Sequence, residues 1–253
     1  MILQLSWASM IAFRANFVYG VFSNLLWACA HIVIIFLLTA KTSSVYGWSR
    51  SDLIILVASS NLLLGVFYFL FSRSLHDFSE TINLGKLDSI LSKPVDSQFL
   101  LSLSYASYYS LSRVILGVAV ISIVIVQSHM QITIMNVLGF VLLLSFGLVL
   151  QYAIWFGLIT LTIWFTTLSN LVDLLYESND IPRFPQEMYK GGREIIFLLV
   201  FPFTLILTVP VRALLTRVSI WDVVGLLAFS SILFLLSRKF FKFALRSYTS
   251  ASG

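Results

Sequence analysis

The chain has 253 residues, 59% of them hydrophobic and 11% charged, with 16 Lys and Arg against 11 Asp and Glu for a net charge of +5. Soluble domains carry about 25% charged residues, so an ordinary soluble fold is excluded, and the basic excess reads as loop asymmetry in a membrane protein and not as a nucleic-acid footprint. Mean hydropathy is +0.96, and residues 114–172 contain no Asp, Glu, Lys or Arg. A helix needs about 20 apolar residues to cross about 30 Å of hydrocarbon. The long runs are apolar on every side, without the dyad alternation of a membrane barrel. The expected fold class is all-α: a polytopic membrane protein with six transmembrane helices.

Residues 1–15 place Leu3, Trp7 and Met10 on one face, with Gln4 and Arg14 elsewhere. That pattern predicts a short helix lying in the inner interface, or else an extension of the first span. No basic leader or small-residue cleavage pattern accompanies the apolar run at 18–39, so the first span is expected to be retained. Spans are expected at about 17–39, 53–71, 105–126, 136–165, 195–211 and 221–237, within one transmembrane domain covering 1–253. The fourth is long enough to tilt or project. The fifth holds Pro202 and Pro210, which predicts a kink or a partly re-entrant course. With both termini inside, the inner segments hold eleven Lys and Arg, counting Arg183, Lys190 and Arg193, and the outer loops hold four. The positive-inside bias therefore predicts cytoplasmic termini. The outer loops are too short for a receptor domain. Trp48 and the group Tyr105, Tyr108 and Tyr109 read as interfacial aromatic belts.

Between the second and third spans lies a polar island, residues 72–98, carrying seven charges: Arg73, Asp77, Glu80, Lys86, Asp88, Lys93 and Asp96. Ser74 and Asp77 have the spacing of a capping box. Leu75, Phe78 and Ile82 then share one helical face, and Gly85 suits a helix end. A second short turn presents Leu87, Ile90 and Leu91, and Lys93-Pro94 stops it, because the residue before proline leaves the α region. Two short amphipathic helices make a surface that can receive force from a soluble partner. Alternatively, the island simply covers the inner face.

The run Gly85, Leu87, Asp88, Leu91, Lys93 and Pro94 resembles the G-x-L-D-x-x-L-x-K-P hallmark of a branch of ABC-2-type exporter permeases, six-span subunits of similar length. A second similarity lies in Phe184-Pro185, Tyr189, Arg193, Pro202 and Pro210, although the family more often has tyrosine where Phe184 stands. The resemblance covers essentially the whole chain. It implies an export permease of a bacterial cytoplasmic membrane, with an N-terminal interfacial helix and a coupling helix docked in a groove of a P-loop ABC ATPase dimer. Its coupling residues would be Leu75, Phe78, Ile82, Gly85, Leu87, Asp88, Ile90, Leu91, Lys93 and Pro94. The resemblance also implies a second permease subunit, more often a related non-identical chain. There is no G-x-x-x-x-G-K-[ST] loop, since Gly85-Lys86 is followed by Leu87. ATP and magnesium would therefore bind a separate chain, and this subunit is expected to be non-catalytic and without a cofactor.

Within the spans, Arg113 is the conspicuous charge. It reads either as the partner of an anionic headgroup in a substrate path or as a structural cation, bound to backbone carbonyls or snorkelling towards Tyr105. Asn24, His31, Asn61 and Gln151 are expected to make interhelical hydrogen bonds, and Gly139, Gly147 and Gly157 to permit close packing. Asp173, Glu177 and Asp180 read as a solvated helix end. The lone Cys29 excludes a disulfide framework. An intramembrane enzyme would need paired carboxylates or a histidine cluster at depth, whereas His31, His76 and His129 are scattered. An ion-coupled transporter would need intramembrane carboxylates and inverted repeats. The mostly apolar spans favour a lipid, lipid-linked or amphipathic substrate over a small hydrophilic one.

Overall fold

The computed structural model describes residues 14–40, 44–85, 87–165, 171–189 and 194–248. The expected interfacial helix at 1–15 thus falls outside the described residues, apart from the two at which the first helix has begun. That helix, α1 (Arg14–Leu38), leads to a tight hairpin of β1 (Ser44–Val45) and β2 (Trp48–Ser49). Tyr46 and Gly47 form its two-residue turn, both at positive φ, the geometry that matches strand twist in short hairpins. Ser49 then caps α2 (Arg50–Phe67) in a reciprocal box with Asp52, whose carboxylate accepts from the Ser49 backbone N–H at 3.0 Å.

α2 does not end at the island. It passes through a π-helical turn (Tyr68–Ser72) directly into α3 (Arg73–Asn83). The capping box expected at Ser74 is therefore not formed. Ser74 is internal to the helix, and its hydroxyl accepts from the Tyr105 backbone N–H at 2.9 Å, 31 residues away. The π turn widens the helix and frees the Phe69 carbonyl, which accepts from Ser107 N–H at 3.0 Å. Gly85, at φ 64°, ends α3 as expected, and α4 (Leu87–Leu91) and α5 (Ser97–Ser102) follow. Then come α6 (Leu111–Gln127), α7 (Ile134–Thr160), α8 (Leu171–Ser178), α9 (Glu194–Leu214) and α10 (Ile220–Ala244).

Among the described residues, five helical stretches are long and apolar enough to cross a membrane, at Arg14–Leu38, Arg50–Ile82, Tyr108–Gln127, Ile134–Ile163 and Ile220–Ser247. A shorter apolar helix is counted at Phe201–Leu214, the part of α9 whose side chains are described. α9 is unbroken over 194–214 despite its two prolines. Pro210 cannot donate to the Ile206 carbonyl. That same carbonyl is the atom against which α7 presents Gly147, where a Cβ would stand only 2.5 Å away. Bare backbone thus closes over the orphaned acceptor. Gly117 of α6 lies as tightly on Ala58 and Leu62 of α2, and Gly139, expected to pack closely, has nothing within 4 Å.

α2 packs chiefly on α6, and α7 on both α9 and α10. Two apolar clusters fill the bundle. One, built on Leu56, Leu150, Ile206 and Leu226, occupies its middle and the hairpin end. The other is rich in aromatics, with Phe67, Phe78, Trp155, Phe156 and Phe241, and fills the island end. The described chain both starts and finishes at the island end: Gly20 sits on Tyr109, and Ala244 is buried in the aromatic cluster.

Candidate functional site

The island folds with one face in and one face out. Leu75, Phe78, Ile82 and Leu87 are buried, and Phe78 stacks parallel to Phe156 of α7 at 5.9 Å and edge-on to Phe241 of α10 at 6.1 Å. The apolar stripe predicted for a partner is therefore seated on the chain's own bundle. Ile90 is half-buried, whereas Asp88, Leu91, Lys93 and Pro94 are exposed, as are Leu84 and Val95. A cleft of about 340 Å³ opens between α3 and the α4–α5 segment, with Asp77, Glu80, Leu84, Ile90 and Lys93 among its walls. Behind it, Asp96 caps α5 and pairs with Arg238 of α10 at 2.5 Å. Gln98 and Ser102 of α5 bond the Tyr152 hydroxyl of α7 at 3.0 and 2.7 Å. The island is thus anchored to two spans at once, α7 and α10.

A second polar assembly lies inside the bundle. Arg113 is 8% exposed and holds its guanidinium 5.3 Å over the Tyr68 ring, at the first residue of the π turn. It does not snorkel towards Tyr105; Arg73 stands over that ring instead, at 5.1 Å. The Tyr68 hydroxyl accepts from Asn179 at 2.8 Å, and Asn179 in turn accepts from Gln151 of α7 at 2.6 Å. Arg183 completes the group. It is 7% exposed, pairs with Asp180 at 2.5 Å and bonds His31 of α1.

This placement corrects two expectations. Arg183 does not stand with the charges at the island end, so the tally that sets orientation loses it; among the described residues it is seven (Arg14, Arg73, Lys93, Arg238, Lys239, Lys242, Arg246) against three (Arg50, Arg212, Arg217). Nor are Asp173, Glu177 and Asp180 one solvated helix end: all three are exposed, but Asp180 is level with His31 inside the bundle. After α8 starts on the aromatic cluster through Leu175, the chain climbs between the helices, by Asn179 and Arg183, to Glu187. There Glu187 accepts from Trp48 Nε1 at 3.1 Å and pairs with Arg212, which also binds Asp222 at 2.6 Å. Trp48 is accordingly buried and locked, not a belt residue. The sequence signal for this climb was Pro182 and Pro185, which remove two backbone donors within four residues and so oppose a continuous helix there; Lys190 and Arg193 fall outside the described residues. Asn24 and Asn61 bond carbonyls of their own helices, at Gly20 and Val57, so only His31 and Gln151 of the expected group reach another element.

Among the described residues no group of three His, Cys, Asp or Glu is placed to hold a metal. No curated protein matches the chain. The sequence does match the family described as "ABC-2 family transporter protein", over residues 25–252. That match takes in nearly every helix described above, the island and the buried arginines included. This almost wholly helical, multi-pass membrane chain belongs to the ABC-2 transporter family.

Proposed function

We propose that the chain is the non-catalytic permease subunit of an ATP-driven exporter, acting as one transmembrane unit with a separate P-loop ABC ATPase dimer. Family membership supports association with such an ATPase. The observation that carries the coupling assignment is the two-faced island, whose Leu75–Phe78–Ile82–Leu87 face is seated on α7 and α10 while Leu84, Leu91, Lys93 and Pro94 look outward. The inward residues make the lever rigid, and the outward ones meet the ATPase. ATP and magnesium stay on the partner. Closure of the ATPase pair then displaces the island, and the π turn at Tyr68–Ser72 passes the motion into α2.

Both ends of the described chain lie at the island end, and among the described residues the Lys and Arg excess, seven against three, also favours that end. This supports cytoplasmic termini in a bacterial inner membrane. α1 leaves much of its surface, including Phe22, Leu26 and Trp27, uncovered by this chain. A second permease, a related non-identical chain, covers part of that surface and membrane lipids cover the rest. The apolar spans with few charges favour an amphipathic or lipid-like substrate.

Affinity purification in mild detergent with mass spectrometry tests the reading. A P-loop ATPase is expected to be recovered, together with a second permease, and Leu91→Glu with Leu84→Glu is expected to abolish ATPase recovery while the chain stays folded. Recovery of the folded chain alone at every detergent strength contradicts the reading.

A further inference from the structure

We infer that Arg113 and Arg183 form a binding site for an oxyanion, phosphate or carboxylate, borne on the head of an amphipathic molecule; the inference rests on the permease reading only for that molecule's being the cargo. Both arginines are more than nine-tenths buried as residues, and the buried Nε of each lacks any hydrogen-bond partner. Arg113 stands over the Tyr68 ring, whose hydroxyl accepts from Asn179, and the next residue, Asp180, pairs with Arg183 beside His31. Among the described residues one carboxylate, Asp180, reaches Arg183, and none lies within 4.0 Å of Arg113. Two cations therefore share one anion.

A surplus cation on a buried side chain is costly unless an anion completes it, by several kcal/mol as an order of magnitude. The planar fork of arginine suits two oxygens of one phosphate or carboxylate, and a free Nε–H is one arm of that fork. Asp180 acts as an internal stand-in. Its side chain is 54% exposed, so it can swing away from Arg183 when a ligand oxyanion arrives. Trp27, exposed and 6.1 Å from the His31 ring, offers an apolar flank beside the site, which suits a headgroup with a hydrocarbon body better than a free ion. The Tyr68 ring under Arg113 belongs to the π turn, so the site shares a residue with the joint that leads to the island.

The test uses the full chain in neutral detergent, with its ATPase wherever that co-purifies. Thermal midpoints are read against decyl phosphate, inorganic phosphate and decanol. Decyl phosphate is expected to raise the midpoint saturably, inorganic phosphate to do so only at much higher concentration, and decanol not at all. Arg113→Gln and Arg183→Gln should each weaken the apparent Kd for decyl phosphate at least about tenfold, the equivalent of about 1.4 kcal/mol. Asp180→Asn should tighten it. Where an arginine variant fails to fold, Asp180→Asn still decides, since both arginines remain. Unchanged or weaker binding in Asp180→Asn, or equal responses to decanol and decyl phosphate, overturns the site; equal affinity for inorganic phosphate overturns its assignment to an amphiphile. None of these readouts needs the ATPase. Loss of decyl phosphate binding with ATPase recovered sinks the site alone, and binding without ATPase sinks the permease reading alone.

Discussion

α1 and the α2–α3 helix have almost the same hydropathy, 2.2 and 2.3 over their most apolar windows, yet 11% of the first window and 67% of the second are buried within the chain. Hydropathy selects helices for the bilayer, but it does not select the helix at the centre of the bundle. Small residues do that. α2 carries Ala58, Ser59, Ser60 and Gly65 towards its neighbours, and α6 answers with Gly117, so the two backbones close on one another. α1 presents Val18, Tyr19, Phe22, Leu26 and Trp27 outward, a surface too bulky for backbone contact and suited to lipid or a second subunit. The island repeats the same contrast on a smaller scale, with Leu87 fully buried and Leu91 exposed within one short helix.

The sharpest way to break this comparison is a charge on each side of it. Leu87→Glu buries a carboxylate among aromatic rings and is expected to cost more than about 4 kcal/mol, read by denaturation in mixed micelles. Leu91→Glu should stay within about 0.5 kcal/mol of the parent in the same assay, its effect falling on ATPase recovery instead. Equal losses in the two variants would erase the distinction between the island's faces. Next in size is Gly117→Val, expected to cost about 1–3 kcal/mol by overpacking α6 on α2. Trp48→Phe keeps an aromatic ring but removes the donor to Glu187 and part of the buried indole, which should cost at least about 1 kcal/mol. The smallest effect is expected at Phe22→Ala on α1, near zero for the isolated chain. There the readout is recovery of a second permease, which should fall.

Much of this was legible beforehand. The apolar runs mark the helices because a lipid-exposed backbone must satisfy itself, and Gly85 and the Lys93-Pro94 pair follow the ends of α3 and α4. Several features were not legible, for physical reasons. The turn pattern at Ser74 and Asp77 signals a helix start only if the preceding helix stops, and the π turn at Tyr68–Ser72 lets it continue. The hydroxyl of Ser74 is spent on Tyr105 instead. Charge counting assumes that an arginine in a connecting segment stays in water. Arg183 violates it because Asp180, three residues earlier, and His31, on another helix, supply partners at depth. Arg113 was visible from sequence as one cation in a span; that it has a second cation for company depends on a tertiary climb no local pattern encodes. Trp48 likewise looked interfacial until Glu187 arrived from 139 residues away.

The central claim, that the exposed face of the island touches the ATPase, is tested most directly by cross-linking in native membranes. Cys29 is the sole thiol and is exposed, so Cys29→Ser gives a blank background. On it, Leu91→Cys places a thiol on the island's outer face and Tyr46→Cys places one on the hairpin tip at the opposite end. A short bis-maleimide is predicted to join Leu91→Cys to the ATPase subunit and to leave Tyr46→Cys unlinked to it. An ATPase that co-purifies yet cross-links at neither position, or equally at both, would contradict the account.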